Sequence, residues 1–199
     1  MKSILKSLMA VCSLILLASL TLNGQIKFKD VTGKAGLIEP LRGMKGHGAA
    51  WGDVTGNGYP DLFYGTFSIY SNTEWNVRGH TGGTSPNKLL LNNGDGTFTE
   101  VMESPIRVHS WNSGAAFADF DNDGDLDLVI SHQHHIDIPY GKLGNFLYEN
   151  DGKGNFTDVT AESNLYYQAP FLGRSTMVFD YDGDGLLDVF MQEDWVLGD

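Results

Sequence analysis

Short apolar runs alternate with glycine-rich polar segments along most of this 199-residue chain. The runs contain many aromatic residues and several valines and are too short for stable helices, so they are typical of β-strands. Three acidic segments each have a small apolar run before them, at 48–52, 114–118 and 175–179. A strand-like run follows each acidic segment, at 62–64, 128–130 and 189–191. The pattern predicts three β-hairpins with an acidic loop at each tip.

Two further strands follow each of the first two hairpins. They are predicted at 88–92 and 98–101, and again at 145–149 and 156–160, with a glycine-rich turn between the members of each pair. The acidic loops begin at residues 53, 119 and 180, so the unit repeats after 66 and then 61 residues. Four-stranded units repeated in this way are typical of propeller blades. The sequence predicts an all-β fold with two complete blades and one partial blade.

The segment from Phe28 to Thr32 matches the last strand of each unit and is predicted to be an isolated closing strand. Propellers close with about four to eight blades. We therefore expect the chain to be the N-terminal part of a longer propeller, or a truncated product of one. The alternative is a short open stack of sheets that is completed by self-association.

The three acidic loops share one nine-residue pattern, numbered here as positions 1 to 9. Oxygen-bearing side chains occupy positions 1, 3, 5 and 9, and glycine occupies position 6. Calcium binds about six to eight oxygens, so this pattern suits calcium better than zinc or copper. Position 7 is expected to contribute a backbone carbonyl. The predicted ligands are Asp53, Thr55, Asn57, Tyr59 and Asp61 in loop 1 (53–61), Asp119, Asp121, Asp123, Asp125 and Asp127 in loop 2 (119–127), and Asp180, Asp182, Asp184, Leu186 and Asp188 in loop 3 (180–188).

Ordinary Asp-Gly hairpin turns are the alternative explanation for any one of these loops. Three copies in one register favour ion binding. Loops 2 and 3 each have four carboxylates at the alternating positions, whereas loop 1 has only Asp53 and Asp61, so loop 1 is predicted to be the weakest site. The glycine-rich segments 92–98 and 150–156 lack alternating carboxylates and are predicted to be plain turns.

The N-terminus has the features of a secretory signal peptide. Lys2 and Lys6 precede an apolar run from residue 8 to residue 22. We predict a signal peptide over 1–24 and a propeller domain over 25–199, with a retained signal anchor as the alternative. Cys12 lies inside the apolar run, so the mature chain has no cysteine and no disulfide. The expected location is secreted, periplasmic or at the cell surface, where calcium is abundant.

Composition and charge restrict the partners. The chain is 41% hydrophobic and 19% charged, which is typical of a globular protein. Without Lys2 and Lys6, 11 basic residues stand against 25 acidic ones, a net charge of −14. This charge disfavours nucleic acid and anionic membranes as partners. We expect no membrane insertion after signal cleavage.

The loops resemble the FG-GAP/VCBS repeat family, whose calcium loops are similar to those in the propeller of integrin alpha subunits. The resemblance rests on the segment 114–129, its counterparts around Asp53 and Asp180, and the Asn-x-Gly-x-Gly-x-Phe turns. The segment from Phe28 to Leu37 is also similar to the start of exported proteins related to cartilage acidic protein. The resemblance implies a seven-bladed propeller with Ca²⁺ on one face, used for adhesion or ligand binding.

In a four-stranded meander, the connections between the second and third strands lie opposite the acidic loops. The first such connection spans 66–87 and contains Trp75, Arg78 and His80, which we predict to bind an extracellular glycan or protein. A mobile insertion is the alternative. His47 and Arg174, which enter the first strand of their units, are further candidate ligand residues, or else solvated residues at the rim.

The second such connection contains His132, His134 and His135, which as imidazoles are potential zinc ligands. Three histidines on one irregular loop rarely form a closed tetrahedral site. We therefore expect them to be exposed polar residues.

No nucleophile elbow or general-base motif is recognisable, so we predict that the chain is not an enzyme. The alternative from another class is the propeller of a polysaccharide lyase or glycoside hydrolase, with His47, His109 or Tyr140 as the base. A structural spacer is a third possibility. The predicted partners are a glycan or protein, together with the remaining blades of a longer chain or a second copy of this one.

Overall fold

The computed structural model describes residues 27–68, 85–132, 145–165 and 172–194. These residues form ten strands, in agreement with the predicted all-β class, and none of them is helical. Across the described ranges there is no helix that could span a membrane. The strands are β1 (Gly46–Gly52), β2 (Asp61–Ser68), β3 (Lys88–Asn92), β4 (Phe98–Glu100), β5 (Ser110–Ala118), β6 (Asp127–His132), β7 (Phe146–Asn150), β8 (Phe156–Asp158), β9 (Leu172–Phe179) and β10 (Asp188–Asp194).

The strands follow the predicted repeat. β1 to β4 form one antiparallel meander, β5 to β8 form a second, and β9 pairs with β10 in a hairpin. One feature was not predicted: β2 also pairs with β5, through Phe67 opposite Trp111. The two meanders are therefore joined into one eight-stranded sheet.

The three predicted hairpins are confirmed. The residue before each loop pairs with position 9 of that loop: Gly52 with Asp61, Ala118 with Asp127, and Phe179 with Asp188. Each acidic loop therefore begins and ends at a strand pair. The segments 92–98 and 150–156 are turns between β3 and β4 and between β7 and β8, also as predicted.

A hydrophobic core lies where the two meanders pack together. Phe63 and Leu89 of the first meander and Leu128 and Ile130 of the second belong to one buried cluster and are at most 1% exposed. The alternation of side chains along each strand directs one apolar row of each meander into this layer.

Glycine permits the close approach of the two meanders. A Cβ atom on Gly48 would lie 2.0 Å from Oδ1 of Asn112, and one on Gly65 would lie 2.3 Å from Cγ of Asn112. Asn112 is fully buried in β5. A larger residue at either glycine would occupy the space that the Asn112 side chain fills.

The predicted closing strand from Phe28 to Thr32 is wrong. The chain divides after Val31 into two compact units, and all ten strands lie in the second. In the first unit, the described residues 27–31 contain no strand, and Phe28 is 96% exposed. The Phe-Thr pattern alone therefore does not produce a strand in the described part of this segment.

The expectation that His132 is exposed is also wrong. His132 is the last residue of β6 and is only 5% exposed. It lies opposite Asn112, and its ring meets the edge of the Phe146 ring at a centroid distance of 4.8 Å. Burial lowers the pKa of His132 to about 3. His134 and His135 lie outside the described residues, so the predicted cluster is not tested as a whole.

His132 predicts a specific pH dependence of stability. The unfolded chain takes up a proton on this histidine below a pH of about 6.5, whereas the folded chain keeps it neutral down to a pH of about 3. The contribution of neutral His132 to the free energy of unfolding is therefore complete above about pH 6.5. It is lost as the pH falls, by up to about 1.4 kcal/mol per pH unit.

Between pH 7 and pH 5, we expect the wild type to lose about 2 kcal/mol of unfolding free energy relative to His132→Leu, because leucine takes up no proton. Urea unfolding of both proteins at each pH measures this difference. Parallel pH profiles for the two proteins would show that His132 is not buried as a neutral group.

Candidate metal centres at the hairpin tips

The aspartate at position 9 closes the base of loop 1. The backbone N–H of Val54 donates to Oδ2 of Asp61 at 3.0 Å, and the N–H of Asn92 donates to Oδ1 at 2.7 Å. Asp61 is 0% exposed. This carboxylate therefore ties the start of the loop to the end of β3, and the loop is attached to the third strand as well as to its own hairpin.

Loop 2 repeats this arrangement. Asp127 is 3% exposed and accepts hydrogen bonds from the N–H of Phe120 at 3.1 Å and of Asn150 at 2.9 Å. In loop 3, Asp188 accepts from the N–H of Tyr181 at 2.8 Å but is exposed. The described residues contain no third strand beside β10, which explains why Asp188 stays open to water.

Burial raises the pKa of both Asp61 and Asp127, and the backbone N–H groups that bind them oppose this shift. Asp121 and Asp123 raise the pKa of Asp127 further by charge repulsion. A cation beside these carboxylates would favour their ionised form. The bases of loops 1 and 2 are thus places where added positive charge is stabilising.

The aspartate at position 1 organises the middle of each loop. Oδ2 of Asp53 accepts from the N–H of Gly58 at position 6, at 2.6 Å. The same bond joins Asp119 to Gly124 at 3.1 Å and Asp180 to Gly185 at 3.0 Å. This hydrogen bond within the loop folds each loop back on itself.

Two positions in each loop require a left-handed backbone, although only position 6 was singled out from the sequence. Position 6 has φ of 85°, 98° and 89° in the three loops. Position 4, occupied by Gly56, Asn122 and Gly183, has φ of 65°, 61° and 78°. Glycine and asparagine are the residues that adopt this conformation most easily. The restriction at position 4 was visible in the sequence, since no other residue type occurs there.

Side chains at positions 1, 3 and 5 meet in loop 2. Carboxylate oxygens of Asp119, Asp121 and Asp123 all lie within 4.8 Å of one another. In loop 3, oxygens of Asp180, Asp182 and Asp188 form a comparable group within 4.8 Å. A donor set made only of oxygens fits a hard cation such as calcium.

Loop 1 brings together fewer charges. Thr55 Oγ1 donates to Oδ1 of Asp53 at 3.5 Å, and Oδ1 of Asn57 accepts from the N–H of Tyr59 at 2.8 Å. The Asn57 amide also donates to the carbonyl of Asn92 at 3.3 Å. Thr55 and Asn57 thus stand where loops 2 and 3 have carboxylates, and the predicted weakness of loop 1 as a calcium site stays a prediction.

Position 7 is oriented in the same way in all three loops. Its backbone N–H donates to the position 5 side chain, from Tyr59 to Asn57 at 2.8 Å, from Asp125 to Asp123 at 2.9 Å and from Leu186 to Asp184 at 2.8 Å. The role of the position 7 carbonyl as a ligand stays a prediction, as does the ligand list as a whole.

The end of the sheet away from the loops contains an aromatic stack that sequence reasoning missed. His47 stacks on Phe67 with centroids 4.1 Å apart, and Phe67 stacks on Trp111 at 5.5 Å, both with interplanar angles of 16°. His47 is exposed near the start of β1. No sequence spacing predicts the stack, because it depends on the pairing of β2 with β5.

The other candidate ligand residues are only partly described. Arg174 is an exposed residue of β9. His109, a candidate base in the enzyme alternative, is half-buried just before β5. Trp75, Arg78, His80 and Tyr140 lie outside the described residues.

Comparison with known proteins agrees with the repeat. Residues 70–130, which include loop 2, match the FG-GAP-like repeat model. Cartilage acidic protein 1 of Xenopus tropicalis is 33% identical over 108 residues, which are 53% of this chain and 15% of that protein. Cartilage acidic protein 1 of Homo sapiens is 27% identical over 169 residues, which are 84% of this chain and 22% of that protein.

The chain therefore carries an FG-GAP-like repeat and is homologous to cartilage acidic protein 1, as the resemblance predicted. It spans less than a quarter of the length of these relatives. Neither the description of the matched repeat nor the names of these relatives denote an enzyme, which agrees with the prediction that this chain is not one.

The geometry separates aspartates that hold the loop from aspartates that face the solvent. Asp127→Ala removes two backbone hydrogen bonds to a buried carboxylate and should cost about 3 kcal/mol of unfolding free energy even in excess chelator. Asp121→Ala alters an exposed side chain and should cost less than about 0.5 kcal/mol under the same conditions.

Urea unfolding in chelator measures both values. Equal losses for the two variants would contradict the assignment of Asp127 as the residue that closes the loop.

Proposed function

Given the FG-GAP-like repeat and the relationship to cartilage acidic protein 1, we propose that this chain is a calcium-stabilised β-propeller module of an exported protein. In this proposal it binds a glycan or protein partner at the end of the sheet opposite the acidic loops. The observation that carries the proposal is the repeated, preorganised set of oxygen donors at the hairpin tips.

Calcium binding is supported by the balance of charges in loops 2 and 3. Three carboxylates within 4.8 Å of one another repel when ionised. Hydrogen bonds from the backbone already fix one of them, at position 1, in each loop. A divalent cation would relieve the repulsion without a large rearrangement, and a preorganised site loses little entropy on binding.

A propeller with further blades is supported by an exposed apolar face on the β9–β10 hairpin. Phe63 of β2 is 0% exposed, whereas Phe190, at the equivalent position of β10, is 50% exposed. Met177, opposite Phe190, is 52% exposed, and Phe179 is 43% exposed. The second meander covers Phe63, and a further meander would cover Phe190 in the same way.

Export is supported by the predicted signal peptide over 1–24. Residues 25–199 contain no cysteine. Such a chain has no disulfide to stabilise it outside the cell. Calcium, which is plentiful there, would supply the missing stabilisation even through weak sites.

Ligand binding is supported by the stack of His47, Phe67 and Trp111. His47 is exposed, and Phe67 and Trp111 are half-buried. Aromatic rings held in such a row offer a rigid apolar contact with polar edges, and such residues contribute strongly to binding surfaces. The strongly negative charge of the mature chain favours a neutral or basic partner.

Chelation tests the calcium part of the proposal. Thermal unfolding of purified residues 25–199 should be cooperative in millimolar calcium, with a midpoint several degrees or more above that in excess chelator. The double variant Asp121→Ala and Asp182→Ala should lose most of this difference, and Thr55→Ala should lose little, because loop 1 has the fewest carboxylates.

Light scattering on the same samples gives the mass and hence the assembly state. An identical midpoint with calcium and with chelator would overturn the calcium part of the proposal.

The aromatic stack makes a separate prediction about recognition. On an array of neutral glycans and extracellular proteins, any partner that the wild type binds should bind His47→Ala at least tenfold more weakly. Trp51→Ala is the matched control, since Trp51 is an exposed aromatic residue at the other end of β1. A greater loss of affinity in Trp51→Ala than in His47→Ala would place recognition at the end of the sheet that carries the acidic loops, which would contradict the proposal.

A further inference from the structure

Asn150 connects the acidic loops of the two meanders. Its Nδ2 group donates to the carbonyl of Val54 in loop 1 at 2.8 Å and to the carbonyl of Leu126 in loop 2 at 3.1 Å. Its Oδ1 atom accepts from the N–H of Gly154 at 3.0 Å, which fixes the side-chain orientation. Asn150 is 2% exposed, so water does not compete for these bonds.

The contacts of Asn150 belong to a longer buried chain of hydrogen bonds. The N–H of Asn150 donates to Asp127, the Asn150 side chain donates to the carbonyl of Val54, and the N–H of Val54 donates to Asp61. All four residues are at most 3% exposed. The position 9 carboxylates of loops 1 and 2 are thus joined through one asparagine.

The first meander contains a natural comparison. Asn92 is the equivalent of Asn150: its N–H donates to Asp61, its side chain donates to the carbonyl of Pro60 at 3.0 Å, and its Oδ1 accepts from Gly94. These bonds stay within one unit. The bond from Asn150 to Val54 is the contact that reaches another unit.

We propose that Asn150 is a positioning residue that couples the two loops, so that a divalent cation in loop 2 strengthens cation binding in loop 1. This inference rests on the proposed function, in which both loops bind calcium. A cation in loop 2 holds Asp127 and the adjacent backbone in one arrangement. Asn150 passes this restraint to Val54, and Val54 passes it to Asp61.

The coupling has a specific use in this chain. Loop 1 has only two carboxylates, Asp53 and Asp61, at its alternating positions. A cation bound in loop 1 therefore receives less electrostatic stabilisation than one bound in loop 2. A loop that is already ordered by its neighbour loses less entropy when the ion binds. Coupling is reciprocal, so an ion in loop 1 strengthens loop 2 by the same factor.

The two sites can be followed separately by NMR. The N–H of Gly58 donates to Asp53 in loop 1, and the N–H of Gly124 donates to Asp119 in loop 2, so each amide reports on its own loop. Calcium titration of residues 25–199 gives one midpoint per loop. We expect Asp121→Asn with Asp123→Asn, which weakens loop 2 at exposed side chains, to raise the calcium midpoint of Gly58 about fivefold or more.

Asn150→Ala tests whether the effect passes through this residue. In Asn150→Ala, the loop 2 substitutions should no longer change the Gly58 midpoint beyond about twofold. Asn92→Ala is the matched control because it removes the equivalent bonds within one unit, and it should keep the fivefold dependence. A purely electrostatic effect of the lost charges would persist in both backgrounds, and this result would overturn the proposal.

The remaining outcomes are also decisive. If both glycine signals respond to calcium but the Gly58 midpoint is indifferent to the loop 2 substitutions, the coupling is wrong and the proposed function stands. This arm needs no change at Asn150, so it decides the matter even if Asn150→Ala does not fold. If neither signal responds to millimolar calcium, the proposed function and the coupling both fail.

Discussion

A buried aspartate at the end of each complete unit's acidic loop is the interaction on which the rest of the structure depends. Asp61 and Asp127 bind two backbone N–H groups each, one at the start of the loop and one at the end of the third strand. A buried carboxylate is costly unless its oxygens are hydrogen-bonded, so the loop, the hairpin and the third strand must form together. The placement of the carboxylates at the hairpin tips therefore depends on the pairing of the third strand with the hairpin.

The close packing of the two meanders follows from small residues in the first two strands. Gly48 and Gly65 leave space for the buried Asn112, and the resulting contact brings β2 beside β5. The same approach brings Asn150 within hydrogen-bond distance of Val54. Packing at the glycines thus has two consequences at opposite ends of the sheet: the aromatic stack at one end and the link between loops at the other.

The hairpin strands and the acidic loops could be predicted from the sequence because both depend mainly on residues that are close together in the chain. Alternating aspartates, glycine at position 6 and short apolar runs are determined by neighbouring residues, and the hairpins at Asp61, Asp127 and Asp188 agree with them. Features that depend on contacts between distant strands were missed. His132 was expected on an exposed loop, yet β6 extends to include it and Phe146 packs against it. Phe28 belongs to a segment with the right pattern for a strand, yet the described residues 27–31 contain none.

The central claim is that the carboxylates at the hairpin tips are arranged by the protein to hold calcium. The most direct measurement is an anomalous difference map from crystals grown in calcium chloride, recorded at a long wavelength. The account predicts one peak about 2.3–2.6 Å from the carboxylate oxygens of loop 2 and another in loop 3, with a weaker peak in loop 1. Well-ordered loops without anomalous peaks, in crystals soaked in millimolar calcium, would contradict it.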